Sequence, residues 1–452
     1  MSNWFAGLGQ AASGMNAARY GLSVVGQNIA NANSDGYTRQ VTVQQSVSAQ
    51  AANGLYTRPA NDGVGGVEVT GTQRVDDALL DARVRTEHGK GQFATTSADQ
   101  LSGLEQLFPV ASDDSLSSQL TAFWSDWSTV ANNPGNSGAR SVLLQDAGTV
   151  VGTLHNLSAG LDDLTQSATS YLGQDVDAAN SAATQLASVN RLISVASTTG
   201  GDVNALFDQR DQLLDQLSKL TGSAATINAN GTADVTVAGQ ALVTGTTTAT
   251  MTVDSAAQVS VGSTAVTLSA GSAAARVSML QTTLPKYRSQ LDGVADALST
   301  AVNSIQTSGF DLNGNPGAAM FSGSGAGGIT VALTDPARIA ASATAGGNLD
   351  GSKAQAAARL GTAAGSADSA YSALVGALGA ESQAAQSASS TQQALVDNVD
   401  AMHASVSGVN YDEEVSNMLT YQRAFQASSR ALTTMDDMLD TLINHTGRAG
   451  LA

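Results

Sequence analysis

Both ends of the chain carry apolar residues at alternating steps of three and four, which confines each end to a long helix with a single seam. Near the start the seam is Leu8, Ala11, Met15, Ala18, Leu22, Val25 and Ile29. Near the end it is Tyr421, Phe425, Ser428, Leu432, Met435, Leu439 and Leu442. A mean spacing of about 3.5 residues keeps such a stripe turned toward one partner helix, as in a coiled coil. Ser2 or Asn3 can cap the first helix, and Gly36 can stop it in a left-handed turn. At the other end Asn410 with Glu413 reads as a capping box, Asp412, Glu413 and Glu414 complement the helix dipole, and Gly447 marks a stop. Helices standing alone are marginal in water. These ends therefore pair with each other, with neighbouring copies, or with both.

Longer helical runs lie between them. Leu154, Leu157, Leu161, Leu164, Ala168, Tyr171 and Ala178 keep heptad spacing, and Leu186, Val189 and Ile193 resume it after a one-residue slip. A second frame runs from Leu360 through Ala367, Tyr371, Leu374, Leu378 and Val399 to Val406, with an Ala-rich seam. Both are expected to be intramolecular core. Ser223–Ala275 breaks the pattern: its only charges are Asp234 and Asp254, and short alternating runs such as Val235/Val237 and Val259/Val261 lie among glycines. Helical spacing returns from Val277, and Ile329 to Leu333 suggests one further strand. The expected fold class is mainly α with a β insert (α+β), with long coiled-coil-like terminal helices, a helical bundle and a small antiparallel β domain. The expected division is 1–44 with 408–446 as the terminal inner domain, 45–222 with 276–407 as the helical domain, and 223–275 as the inserted β domain.

Composition removes several function classes. With 20 Lys and Arg against 38 Asp and Glu the formal charge is −18, which disfavours nucleic acid as a partner because phosphate contacts need clustered cations. Cysteine is absent, so disulfides, thiolate metal sites and cysteine nucleophiles are excluded. No apolar stretch reaches the roughly 18 residues of a membrane span, and no leader with a basic start and apolar middle is readable.

At Ala30 to Gln40 the chain reads A-N-A-N-S-D-G-Y-T-R-Q. Asn28, Asn31 and Asn33 are poor helix-interior residues that bond readily to nearby backbone. Gly36 supplies a turn, and Tyr37 and Arg39 can reach a partner surface. This segment resembles the signature of the rod, hook and hook-associated axial proteins of the bacterial flagellum. Gly408 to Leu432, with Tyr-Gln-Arg-Ala-Phe-Gln-Ala-Ser at 421–428, resembles the C-terminal end of the same family. Phe123-Trp124-Ser125-Asp126-Trp127, Asn133-Pro134, Ala139-Arg140 and the Gly309–Gly314 turn leading to Phe321 resemble its junction-type hook-associated branch.

The resemblance implies a secreted structural subunit at the hook–filament junction, exported without a cleaved signal, with no enzymatic activity and no cofactor. The implied partners are copies of itself, the hook protein, the second junction protein leading to flagellin, and an export chaperone on the C-terminal helix. The alternatives are a hook or distal-rod subunit, or a surface adhesin. An adhesin would need an aromatic-lined site, and Ser223–Ala275 holds no aromatic residue.

Other motifs point elsewhere only weakly. Gly323, Gly325 and Gly328 match G-x-G-x-x-G but precede a strand, whereas a dinucleotide site needs a helix N-terminus after the loop. Asp311, Asn313 and Asn315 resemble a calcium loop without its closing Glu. His88, His155, His403 and His445 stand apart in sequence, with no H-E-x-x-H.

Overall fold

The computed structural model describes residues 2–47, 65–109, 112, 114–346 and 350–441. Helix α1 (Ser2–Asn31) leads into strand β1 (Gln40–Val47), which pairs antiparallel with β2 (Gly66–Arg74). The hairpin lies across the boundary expected at residue 44 and was not expected from the sequence. Its outward face carries the exposed Val41, Val43 and Val47, while Thr42 on the other face bonds to Tyr421. The valines thus point away from the chain's own core.

Helices α2 (Ala78–Leu107), α3 (Leu116–Asn132) and α4 (Ser137–Thr199) follow, each opened by a side-chain cap from Asp77, Ser115 and Asn136. The 63 residues of α4 give it a length of about 95 Å. It serves two cores. Leu143 to Leu161 join a cluster built with Leu104 of α2, Phe108 just past its end, and Phe123 and Trp127 of α3. Leu172 to Ile193 join a second cluster built with α5 (Asn204–Thr221) and the β segment. The passage from one core to the other falls between Leu161 and Leu172, and the one-residue slip in the heptad frame, between Ala178 and Leu186, lies inside the second core.

The β segment is two antiparallel meanders. One is β3 (Ala224–Ile227), β4 (Ala233–Val237), β5 (Gln240–Thr244) and β6 (Thr247–Thr248). The other is β7 (Met251–Val253), β8 (Val259–Val261) and β9 (Thr264–Ala265). They lie along α4 and share its core. Asn190 accepts from Ala233 N at 2.9 Å and donates to Ala233 O at 2.8 Å, and Asn180 bonds Met251 N and O in the same way. Each asparagine stands in for a missing strand neighbour.

A helical stretch follows: α6 (Gly271–Ser278), one π turn (Met279–Thr283) and α7 (Leu284–Thr307). Strands β10 (Phe321–Ser322) and β11 (Thr330–Val331) pair, so the expected strand at 329–333 is present but short. Helix α8 (Ser352–Ala358) precedes α9 (Ala367–Ser407). The heptad frame begun at Leu360 misplaces this start. Gly365 at φ 76° turns the chain, Ser366 caps α9, and Gly361 lies against the Trp124 ring. Helix α10 (Tyr411–Asp440) returns along α1.

Among the residues that carried the family resemblance in the interior, Phe123, Trp124, Trp127, Arg140, Asp311 and Phe321 are buried, while Ser125, Asn133 and Asn313 are exposed. Phe123 meets Trp124, Trp127 and Phe321 at ring distances of 4.9, 6.2 and 6.2 Å. Trp124 donates to Asp368 at 2.7 Å. The buried Arg140 donates to Pro134 O at 2.7 Å and Ile339 O at 2.6 Å. Gly325 N and Ala326 N of the glycine loop bond to Asp296 and Asp292, so its amides are occupied by the chain's own carboxylates. Asp311 accepts from Asn313 N and Asn315 N in a plain turn.

Candidate assembly interface

Helices α1 and α10 pair in one antiparallel register. Gly7 faces Met435, Gly14 faces Ser428 and Gly21 faces Tyr421, in steps of seven on both helices. A Cβ at Gly21 would overlap the Tyr421 ring, and one at Gly7 would stand 3.1 Å from Met435 Cε. The line continues to Asn28, whose Nδ2 donates to Glu414 at 3.1 Å. Large side chains of α10 thus lie over bare backbone of α1, and the helices approach closely.

The next step of the ladder is a polar knot. Asn28 Nδ2 also donates to Gln40 O at 2.9 Å, while its Oδ1 accepts from Tyr37 Oη at 2.8 Å and Gln40 N at 3.0 Å. Both donors and both acceptors of the amide are used. Burial, with Asp208 and Glu414 nearby, pushes the Tyr37 phenol up to about 12, so it remains a donor at neutral pH. Arg39 lies 2.9 Å from Glu413, and its amide donates to Ser407 O at 2.9 Å. Asn410 caps α10 through Asp412 N and Glu413 N, with Glu413 engaged by Arg39. Gly36, at φ 73°, leaves room for Gln212 of α5, which donates to Asp35 O at 2.6 Å. The buried Arg74 completes the join to the body, contacting Asp208 at 3.0 Å, Asp211 at 2.7 Å and Thr38 at 2.9 Å.

Each expected site residue can now be placed. Val25 and Asn28 are buried. Leu8, Met15, Leu22, Ile29 and Asn31 are half-buried, and Asn33 and Gly36 are exposed. Tyr37 and Arg39 are turned onto Asn28 and Glu413 of the same chain. Tyr421, Phe425, Leu432, Met435 and Leu439 are half-buried, and Leu442 lies outside the described residues, as does Gly447. The tightest line on α1 runs one residue ahead of the Leu8–Met15–Leu22–Ile29 stripe. Gly7, Gly14, Gly21 and Glu414 were missed; the signal was the seven-residue spacing of glycines up to Asn28.

The pair has little core of its own. Among its described residues α10 buries one side chain, the Glu414 carboxylate, and α1 buries Ala17, Ala18, Val24, Val25 and Asn28. Meanwhile Tyr20, Val41, Val43, Val47, Tyr411, Leu419 and Met438 are exposed on α1, β1 and α10.

Comparisons with known proteins match both ends of the chain and its interior. Residues 8–38 match the flagella basal body rod protein family, and residues 403–445 match the C-terminal family of the flagellar basal body rod FlgEFG proteins. The chain is a structural subunit of the bacterial flagellum. Residues 101–321 match the helical domain of flagellar hook-associated protein FlgK. The chain is 29% identical to flagellar hook-associated protein 1 of Bacillus subtilis over the full length of both. It is 31% identical to the protein of that name from Salmonella typhimurium, over 70% of this chain and 59% of the relative. The chain is thus similar to flagellar hook-associated protein 1 along its whole length. A solved structure of the flagellar hook junction protein FlgK from Burkholderia pseudomallei shares the fold, with TM-score 0.65 and 16% identity over 72% of this chain and all of that one. No helix among the described residues is long and apolar enough to cross a membrane.

Proposed function

We propose that this chain is a junction subunit that assembles through its terminal pair, between hook-type packing on one side and the adaptor leading to flagellin on the other. The carrying observation is the poverty of core in α1 and α10 beside the apolar side chains they leave exposed. Burying such surface contributes roughly 25 cal/mol per Å², less the cost of ordering. Identical subunits making different contacts on two faces build a helical tube. Residues 1–44 with 408–446 form the inner assembly unit in this scheme. Residues 45–222 with 276–407 form the surrounding shell, with 223–275 as the β domain attached to it. The subunit is a building block without a reaction of its own. It leaves the cell through the flagellar type III apparatus, with a chaperone on its C-terminal helix beforehand.

The test is Leu419→Asp with Met438→Asp. Both sites are exposed in the single chain, so its stability should change by less than about 0.5 kcal/mol per site. Incorporation should be lost, leaving cells with hooks, no filaments and shed flagellin. Normal filament attachment in that strain would overturn the proposal.

A further inference from the structure

The chain passes between the terminal pair and the body twice, through α2 after the hairpin and through α9 before α10. Where these two helices run together, His88 of α2 places Nδ1 2.5 Å from Asp215 of α5 and Nε2 2.9 Å from Asp400 of α9. Lys219 holds the other oxygen of Asp215 at 2.7 Å. Ionised carboxylates only accept, so both ring nitrogens must donate, and the ring that fits this place is the imidazolium. His403 of α9 reaches back, with Nε2 3.1 Å from Asp81 of α2.

We propose that His88 and His403 form a proton-operated lock that fastens α2, α5 and α9 together at the base of the terminal pair. The lock is independent of which axial position the subunit occupies. A cavity of about 680 Å³ opens beside the two rings and lets solvent protons reach them. Asp81 and Arg85 face it from α2, and Asp211, Asp215 and Lys219 from α5. Asp400 and His403 line it from α9, and Arg74 from the end of β2. Asp35 and Asp76 complete the rim. Carboxylates outnumber the fixed cations here, which favours charged rings.

The hydrogen bond to Asp215 raises His88 above the usual histidine value against the opposing effect of burial, and the contact with Asp81 does the same for His403. For a raised histidine, the added stability is complete below the unfolded value of about 6.5 and is lost as pH rises through the folded value. The lock is therefore closed in mild acid and opens toward alkaline pH.

Side-chain nitrogen NMR of the intact chain tests this, with His88→Gln and His403→Gln assigning the two rings. Both rings should be imidazolium at about pH 6 and should titrate above a free histidine. Because the chain lacks cysteine, spin labels at Ser23→Cys and Ser125→Cys report the separation of terminal pair and body. That distribution should be narrow while the rings are imidazolium and broaden as the NMR shows them losing their protons, and the double glutamine variant should remain broad throughout. Neutral rings at the lower pH, or distances indifferent to pH, would overturn the proposal. If the double variant does not fold, the ring titration and label distances with both histidines present still decide.

Discussion

The terminal pair and the α3/α4 body solve the same problem with opposite materials. In the body, Phe123, Trp127, Tyr287 and Phe321 fill a cluster in which the largest side chains are almost wholly buried. In the pair, the closest contacts are made over glycines, and the one buried residue of α10 is a carboxylate. Density in the body makes it self-sufficient, since each large side chain excludes water and touches many neighbours. Thinness in the pair brings two backbones close while leaving apolar side chains uncovered. In the proposed assembly, a region built in that way has its orientation set beforehand and acquires most of its stability from its neighbours.

Three substitutions would break or sharpen this contrast. Trp127→Ala should have the largest effect on the single chain, lowering its stability by about 3–5 kcal/mol in thermal or denaturant unfolding. A loss under about 1 kcal/mol would mean the body is less tightly packed than its burial indicates. Gly21→Val forces a branched side chain into the Tyr421 ring and should cost about 1–3 kcal/mol locally. Hydrogen exchange should speed up in α1 and α10 while the α4 amides stay protected; equal acceleration in both would show that the regions are not separable. Glu413→Gln removes the charge opposite Arg39 at a half-exposed site and should cost no more than about 0.5 kcal/mol. A larger loss would mean that this surface pair, and not the buried Asn28 amide, holds the knot.

The sequence makes the helices more legible than their contacts. Heptad spacing locates α1, α4, α9 and α10 because apolar residues must recur on one face of any packed helix. It locates the seam of α1 less well, since a spacing argument weights large residues, and the closest approach depends on side chains that are absent. The hairpin escapes notice because Val41, Val43 and Val47 point outward while Thr42 points in, the reverse of the usual alternation. Asn180 and Asn190 read as ordinary polar helix residues until the strands they hold are present. His88 looks isolated because Asp215 and Asp400 are brought to it by two other helices. The Asn28–Gly36–Tyr37 segment is the exception, since its unusual composition marks a special helix end even though Asn28's partner on α10 lies 386 residues away.

The glycine ladder carries an ambiguity that the knot removes. Glycines repeating every seven residues look alike to the helix lying over them. Sliding α10 by one heptad, about 10 Å, would still offer Tyr421 or Ser428 a bare stretch of backbone. Asn28 is the buried member of the contacts that break this translational degeneracy, with Thr42–Tyr421 and Arg39–Glu413 beside it, because the slid position would leave its amide and the Glu414 carboxylate without each other in a dry setting. A single polar residue at a seam can select one alignment among several of similar energy. The ladder measures out the possible alignments, and the knot around Asn28 chooses among them.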